Sequence, residues 1–471
     1  MENCLKESAV MKTHLDWSAY EDAGMGDAYA DIPKHGGDFG KAVAVCINSR
    51  LCEARDADKQ LMCPSFRATG NPNLSTGGRV RMLKAALNSD DPDASFANPE
   101  LAEAMDLCVS CKGCKRECEN NVDMALIKAE FLAQRLYRQP LSARGRLFAE
   151  LPAWLHKWPQ LGGLARWRNA SGLLAKLGER WLRIPGDRPA PAPETQAFNE
   201  SDALAQWADL PVNPELPEVT LLTDTFSRYF EPQVAYAAVA VLRAAGYRLH
   251  LATPDDGVSD PERPLCCGRT YLSQGLVDKA RAEAKRMVDS LHPHVQAGRI
   301  IVGMEASCVL GLRDDAKALG LGEALNEIAD KTLLLEEFLA RETMAKRLNL
   351  PLRAIPDQPK TLIHGHCHQK TVGAMKSMRR VLKMIPELDF EMIESSCCGM
   401  AGTFGMESEH AELSTQMAET ALMPTLRENP QADVVANGFS CRHQMRAHGD
   451  NRARHLALLL RDALDAPADA R

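Results

Sequence analysis

What this chain lacks narrows it before anything it contains. It has no run of about 18 apolar residues, so no segment reads as a membrane span. Residues 1–31 are polar and acidic, without the basic, then apolar, then small-residue succession of an export signal. It has no surplus of positive charge: 56 Lys and Arg against 63 Asp and Glu leave a net charge of −7, which argues against nucleic acid as a partner. It also lacks a strand-linked Gly-x-Gly-x-x-Gly, since Gly24-Met25-Gly26 follows no strand pattern. Without a flavin or nicotinamide fingerprint the chain is expected to hold no hydride acceptor of its own. The expected compartment is the cytoplasm, where 15 cysteines are reduced thiols and ligands rather than disulfides.

The cysteines are what the chain has in abundance, and they fall into groups. The densest is Cys108-x2-Cys111-x2-Cys114-x3-Cys118, the bacterial iron–sulfur spacing. Four soft anionic ligands in so short a loop suit iron in one 4Fe-4S cubane, whereas zinc sites favour two separated cysteine pairs. Upstream stand Cys46, Cys52 and Cys63-Pro64. Proline usually follows the fourth cysteine of such a run; here Glu119 follows Cys118, and the proline follows Cys63. In two-cluster ferredoxins the fourth cysteine serves the other cluster. Cys108, Cys111 and Cys114 are therefore expected to take Cys63, while Cys118 joins Cys46 and Cys52. That leaves one ligand short of two cubanes, with Ser49 at the gap. A second cubane, a three-iron cluster, a serine-ligated cluster and no second cluster all remain open. Cys4 shows no pairing pattern.

At 471 residues the chain is too long for one core. Residues 1–39 show no periodicity and read as a flexible leader, or a tail that binds partners. Residues 40–138 carry the cysteine run among apolar positions at helical spacing, as in 79–87 and 124–132, a helical ferredoxin-like domain. Residues 139–184 are basic and tryptophan-rich: within 139–183 lie Trp154, Trp158, Trp167 and Trp181, with eight Lys and Arg against Glu150 and Glu179. Two readings stand for them: helices at a membrane interface, giving peripheral membrane contact, or amphipathic helices packed on the other domains. Residues 185–217, rich in Pro and Ala, read as a linker.

From 218 the pattern repeats. Residues 218–345 and 360–460 each run strand, helix, strand, Cys-Cys-Gly, helix, strand, Ser-Cys. The expected strands are 219–223, 248–252 and 299–303 in the first half, and 360–364, 390–393 and 433–436 in the second. Strands alternating with helices imply two α/β modules with parallel sheets, arranged as an internal repeat with a site between them. The second module offers Cys367, Cys397, Cys398 and Cys441. Neighbouring cysteines can share one cluster only from a turn, which Gly399 supplies. Around Cys367 the sequence His364-Gly365-His366-Cys367-His368 offers histidines to tune a cluster, ligate metal or relay protons, with His366 and His368 as catalytic candidates. The first module has Cys266, Cys267 and Cys308, a weaker set, because no cysteine stands in its segment 223–232. Packed thiols are the alternative there.

These motifs resemble a family, the iron–sulfur proteins with tandem cysteine-rich CCG domains. The resemblance rests on Gly365-His366-Cys367-His368-Gln369-Lys370, Cys397-Cys398-Gly399-Met400-Ala401-Gly402 and Gly438-Phe439-Ser440-Cys441-Arg442. Met62-Cys63-Pro64-Ser65-Phe66-Arg67-Ala68-Thr69 and Asp224-Thr225-Phe226 add to it. The chain is similar to the iron–sulfur half of FAD-linked D-2-hydroxyacid dehydrogenases of the D-lactate and D-2-hydroxyglutarate type. It also resembles the glycolate oxidase iron–sulfur subunit and the corresponding subunit of anaerobic glycerol-3-phosphate dehydrogenase. The resemblance implies an electron-transfer subunit, with FAD on a partner dehydrogenase or oxidase and quinone or another carrier as acceptor. A more distant likeness is to the heterodisulfide reductase subunit whose CCG cysteines hold a non-cubane cluster; it implies such a cluster at Cys367, Cys397, Cys398 and Cys441. Gly311 and Gln444 depart from its pattern, since each stands where a second cysteine of Cys-x-x-Cys belongs. Two rival functions follow: a reductase working at the second module's cluster, and a redox- or iron-sensing interaction protein.

Overall fold

A computed structural model describes residues 11–25, 31–54, 61–255 and 257–465. Cys4 lies outside the described residues. The ferredoxin-like part is helical, as expected. Its helices Gly37–Ala44, Thr76–Leu87, Pro99–Asp106 and Met124–Leu136 pack around Phe39, Leu83, Leu87, Met105 and Phe131. Local chemistry sets their starts. Ser75 accepts from the Gly78 N–H, Asn98 from those of Glu100 and Leu101, and Asp123 from that of Leu126.

The leader differs from expectation where it is described. Glu130, fully buried on the Met124–Leu136 helix, accepts the backbone N–H of His14 at 3.0 Å and of Leu15 at 2.9 Å, and the Trp17 indole N–H at 3.1 Å. A buried carboxylate needs several donors, and this segment supplies them. Leu15 and Trp17 then join the core. Residues 14–17 are thus docked, not loose.

The second part is α/β. Among the described residues there are two four-stranded parallel sheets. The first is ordered β2 (Leu249–Leu251), β1 (Val219–Leu222), β3 (Ile300–Gly303), β4 (Thr332–Leu334). The second is ordered β6 (Phe390–Met392), β5 (Thr361–His364), β7 (Asp433–Ala436), β8 (Ala453–Arg454). Register is in step: Val219 lies opposite Ile300 and Thr361 opposite Asp433. The central strands β1, β3 and β5 are buried along their length, as parallel strands covered on both faces require. One apolar cluster spans both sheets, from Val219, Val302 and the Pro232–Ala244 helix to Ile363, Val435 and the Leu456–Asp462 helix.

The expected linker also differs. Arg188 is buried and donates to the Gly405 carbonyl at 2.8 Å and the Ala411 carbonyl at 2.7 Å. Phe198 and Trp207 are core residues. This Pro-rich stretch is a strap fixed to both modules. Of the basic segment, the Ala143–Lys157 helix packs on the first module: Thr270 donates to the Ala149 carbonyl at 2.9 Å, and the Tyr271 hydroxyl donates to Glu150 at 2.6 Å. The helices Leu161–Ala170 and Gly172–Leu182 that follow leave Trp167 61%, Leu173 70% and Trp181 75% exposed. Among the described residues no helix is long and apolar enough to cross a membrane.

Candidate iron–sulfur sites

The loop 108–114 folds to turn its sulfurs inward. Ser110 and Lys112 take positive φ of 48° and 58°, which reverses the chain between successive cysteines. Gly113 is required for room, since a Cβ there would lie 2.9 Å from the Met62 backbone. Cys63, itself at φ 56°, starts the Pro64–Thr69 helix. Its Sγ lies 3.0 Å from both the N–H and the hydroxyl of Thr76. Cys52 Sγ accepts from the Gly77 N–H at 3.2 Å. One helix N-terminus thus points adjacent amides at two cysteines from the two expected sets, and its positive end favours anionic sulfur.

Electrostatic neighbours link the thiols of the two groups. Burial pushes Cys114 up, and the nearby Cys63 and Cys108 add to it. Burial pushes Cys63 up to about 11, with Cys52 and Cys108 among its neighbours. Burial likewise raises Cys46, whose cysteine neighbours are Cys118 and Cys52. Thiols held protonated by burial become good ligands only when a metal takes the proton's place, which couples metal binding to proton release.

The second module sits directly against this loop. Cys111, Cys367 and Cys397 share an apolar cluster with Leu61, Val109, Phe404, Leu413 and Met417. Burial raises Cys111 well above its usual range, and Cys367 is its next largest influence. The Cys367–Thr371 helix is fastened there: the Thr371 hydroxyl donates to the Cys111 carbonyl at 3.3 Å, and His368 Nε2 lies 3.2 Å from the Ser110 carbonyl. His366 caps that helix, its Nδ1 accepting the His368 N–H at 3.2 Å. Its ring presses on Gly438, where a Cβ would meet His366 Cδ2 at 2.4 Å. Burial lowers His366 to about 4 and holds His368 well below its usual range, which favours neutral rings. Gly399, at φ +89°, turns the chain after the cysteine pair, and any Cβ would strike the Ser414 carbonyl at 2.1 Å.

His364, Cys398 and Cys441 bring their ligand atoms within 4.8 Å of one another, all buried. Hydrogen bonding from Cys397, then from Cys441, holds the Cys398 thiol well below its usual range against burial. Soft sulfur beside a neutral imidazole is a donor set that fits iron. His364 was legible only as part of the histidine run; its meeting with Cys398 and Cys441 depends on where β5 ends.

The first module is built alike but furnished differently. Asp224 caps the Thr225–Tyr229 helix as His366 caps Cys367–Thr371, so Thr225 stands where Cys367 stands. Against Cys266, the neighbouring Cys308 and burial push the Cys267 thiol well above its usual range. Burial, with Glu305 close by, pushes Asp224 up to about 6. The first module thus gathers three thiols where the second gathers four. A Cβ at Gly311 would lie 3.6 Å from the Arg269 guanidinium, and Gln444 Nε2 donates to the Ser414 carbonyl at 3.1 Å.

Charged residues, most of them outside the sequence motifs, lock the parts together. Lys112, buried, pairs with Asp123 at 3.1 Å and with Asp314 at 2.7 Å, and also with Asp315. Asp315 in turn holds Arg269, which follows the first Cys-Cys-Gly and lies 3.4 Å from His368. Glu231 of the first module holds Arg442 and Arg446 of the second. Glu336, raised by burial to about 7, accepts from Asn437 Nδ2 at 3.1 Å and from Gln369.

Comparison with known proteins places two domains in the chain. The model of a 4Fe-4S dicluster domain matches residues 42–122, and that of a cysteine-rich domain, CCG, matches residues 361–446. D-2-hydroxyglutarate dehydrogenase of Escherichia coli (strain K12) is 24% identical over 454 residues, 87% of this chain and 42% of that protein. A subunit of anaerobic glycerol-3-phosphate dehydrogenase from the same strain is 29% identical over 252 residues, 52% of this chain and 59% of that protein. The glycolate oxidase iron-sulfur subunit of that strain is 22% identical over 433 residues, 89% of this chain and 94% of that protein. The chain spans 42% to 59% of the length of the first two of these relatives.

Proposed function

We propose that this chain, an iron–sulfur protein of the CCG-domain type, is the electron-transfer subunit that stands beside an FAD-dependent 2-hydroxyacid dehydrogenase. The substrate of that flavoprotein would be D-lactate, glycolate, D-2-hydroxyglutarate or glycerol 3-phosphate, and the acceptor quinone or another carrier. The observation that carries the reading is the unbroken adjacency of cysteine groups. It runs from Cys398 and Cys441 through Cys397 and Cys367 to Cys111, then by Cys108, Cys114 and Cys63 to Cys52, Cys46 and Cys118. Iron–sulfur clusters, when bound at these groups, supply one-electron centres.

The chain's own residues insulate and support that line. Leu61, Val109, Phe404 and Met417 keep water from the junction of Cys111 with Cys367. The Thr76–Leu87 helix offers amides to sulfurs of both sets in the ferredoxin-like domain. In the second module, His364 stays neutral under burial beside Cys398, which suits a ligand or a proton acceptor. The equal strand order of the two sheets supports reading the modules as an internal repeat, with the first having given up its cluster role. Gln444 in its hydrogen bonds to Ser414 speaks against a disulfide-reducing site.

The test is anaerobic mixing with a reduced FAD-linked 2-hydroxyacid dehydrogenase, followed by absorbance. The wild-type chromophore should bleach on mixing. Cys111→Ser should slow this by orders of magnitude while the flavoprotein's dye-linked activity stays unchanged. Full-rate bleaching of the variant, or disulfide reduction by the chain without a flavoprotein, would refute the reading.

A further inference from the structure

The loop 46–52 is a second copy of the loop 108–114, with serine at one ligand position. In the loop 108–114, the left-handed residues are Ser110 and Lys112, two and four places after Cys108. In the upstream loop they are Asn48, φ 60°, and Arg50, φ 58°, two and four places after Cys46. Positive φ is uncommon outside glycine, so two such residues at matching places are a shared backbone shape rather than chance. On that frame Cys46 matches Cys108, Cys52 matches Cys114, and Ser49 stands where Cys111 stands. Cys63 stands beside both groups, with Cys52 and Cys108 as neighbours, and Cys118 neighbours Cys46. In two-cluster ferredoxins the last cysteine of each run serves the other cluster, which gives Cys63 to Cys108 and Cys114 and gives Cys118 to Cys46 and Cys52.

The upstream loop is held, not slack. Arg81 donates to the Asn48 side chain at 2.9 Å and pairs with Glu53 at 3.2 Å. Asn120 donates to the Val45 carbonyl at 2.9 Å, tying the Cys118 end to the Cys46 end. Cys52 receives the Gly77 amide. Three thiols therefore stand in a cluster-shaped frame whose fourth corner, at Ser49, is exposed to solvent.

We propose that Cys46, Cys52 and Cys118 hold a three-iron cluster, its open corner facing water at Ser49. Iron in such clusters takes soft thiolates, and an alcohol must shed a far less acidic proton to compete. An iron at the Ser49 corner would have water on one side and a weak ligand on the other, and is lost. This inference rests on the reading that the 108–118 group holds a cubane; the test separates the two.

The full chain is purified anaerobically as wild type, Ser49→Cys and Ser49→Ala, and each is examined by iron analysis and by electron paramagnetic resonance before and after dithionite. Ser49 is exposed, so neither substitution disturbs the core. Wild type should show the signal of an oxidised three-iron cluster, lost on one-electron reduction, and a separate cubane signal after reduction. Ser49→Ala should be indistinguishable from wild type. Ser49→Cys should lose the oxidised-state signal and gain about one iron per chain with a second reduced-cubane signal. An oxidised wild type with no three-iron signal, or iron loss in Ser49→Ala, overturns the inference while leaving the first cubane standing. Absence of any cubane signal overturns the reading on which it rests.

Discussion

Replacing Glu231 by Gln tests whether the two α/β modules are coupled through charge. Glu231 is 4% exposed and faces Arg442 and Arg446 of the Phe439–Ala447 helix, which also carries Cys441. Burial alone would raise this carboxyl, but the two guanidinium groups outweigh it and hold it at about 2 instead of 4.5. That difference corresponds to about 3 kcal/mol of preference for the folded, charged state. Removing the anion also leaves Arg442, itself buried, without its partner, a loss of about 3–5 kcal/mol in comparable buried pairs. Anaerobic urea unfolding at pH 7 should show Glu231→Gln destabilised by about 3 kcal/mol. The folded pKa is depressed, so the contribution is fully present above about 4.5 and is lost as pH falls toward about 2. The gap between wild type and variant should therefore be constant from pH 6 to 8 and narrow below about 4.5. A loss under about 1 kcal/mol at pH 7 would refute the argument. So would a gap that widens in acid.

Glu336 gives the opposite sign. Its folded pKa is raised to about 7 by burial, so wild type should lose roughly 3 kcal/mol relative to Glu336→Gln as pH rises from about 4.5 through 7, read from urea midpoints; a pH-independent difference would remove Glu336 as a buried acid. Cys398→Ser should abolish transfer from a flavoprotein donor, whereas Cys267→Ser should mainly lower stability by about 1–3 kcal/mol; equal and complete loss of transfer in both would mean the modules share one site. The exposed Trp167, Leu173 and Trp181, with Lys176 and Arg180 alongside, should carry the protein onto anionic-lipid vesicles at low salt and release it at high salt. Sedimentation of Trp167→Ala/Trp181→Ala should fall several-fold, and wild type left in the supernatant at low salt would favour a protein partner for that face.

Legibility followed the range of the interactions. The strands β1, β3, β5 and β7 were readable because each is a short apolar run between turn signals, a local property. The turn at Gly399 and the cysteine spacings were readable for the same reason. β4 and β8, of three and two residues, carry too little pattern to register. The docking of Trp17 on Glu130 joins residues 113 apart, and nothing in a polar, aperiodic leader announces it. Arg188 sits in a Pro- and Ala-rich stretch whose composition suggests a linker, yet its guanidinium bonds to Gly405 and Ala411 fix that stretch to the second module. The Glu231–Arg442 pair and the Lys112–Asp314 pair are likewise contacts across folded parts, invisible until the parts are placed. At the candidate sites, the cysteine groups were legible from spacing. The left-handed pairs at Asn48 and Arg50 and at Ser110 and Lys112 were not, because nothing in those side chains requires a positive φ.

The central claim is that these cysteines hold iron and inorganic sulfide and take up electrons. Iron, sulfide and zinc are measured on protein purified without oxygen, together with a reductive titration followed by absorbance. The account predicts a brown protein with about four or more irons per chain, matching sulfide, little zinc, and absorbance that bleaches on reduction. A colourless protein with stoichiometric zinc and no sulfide would contradict it.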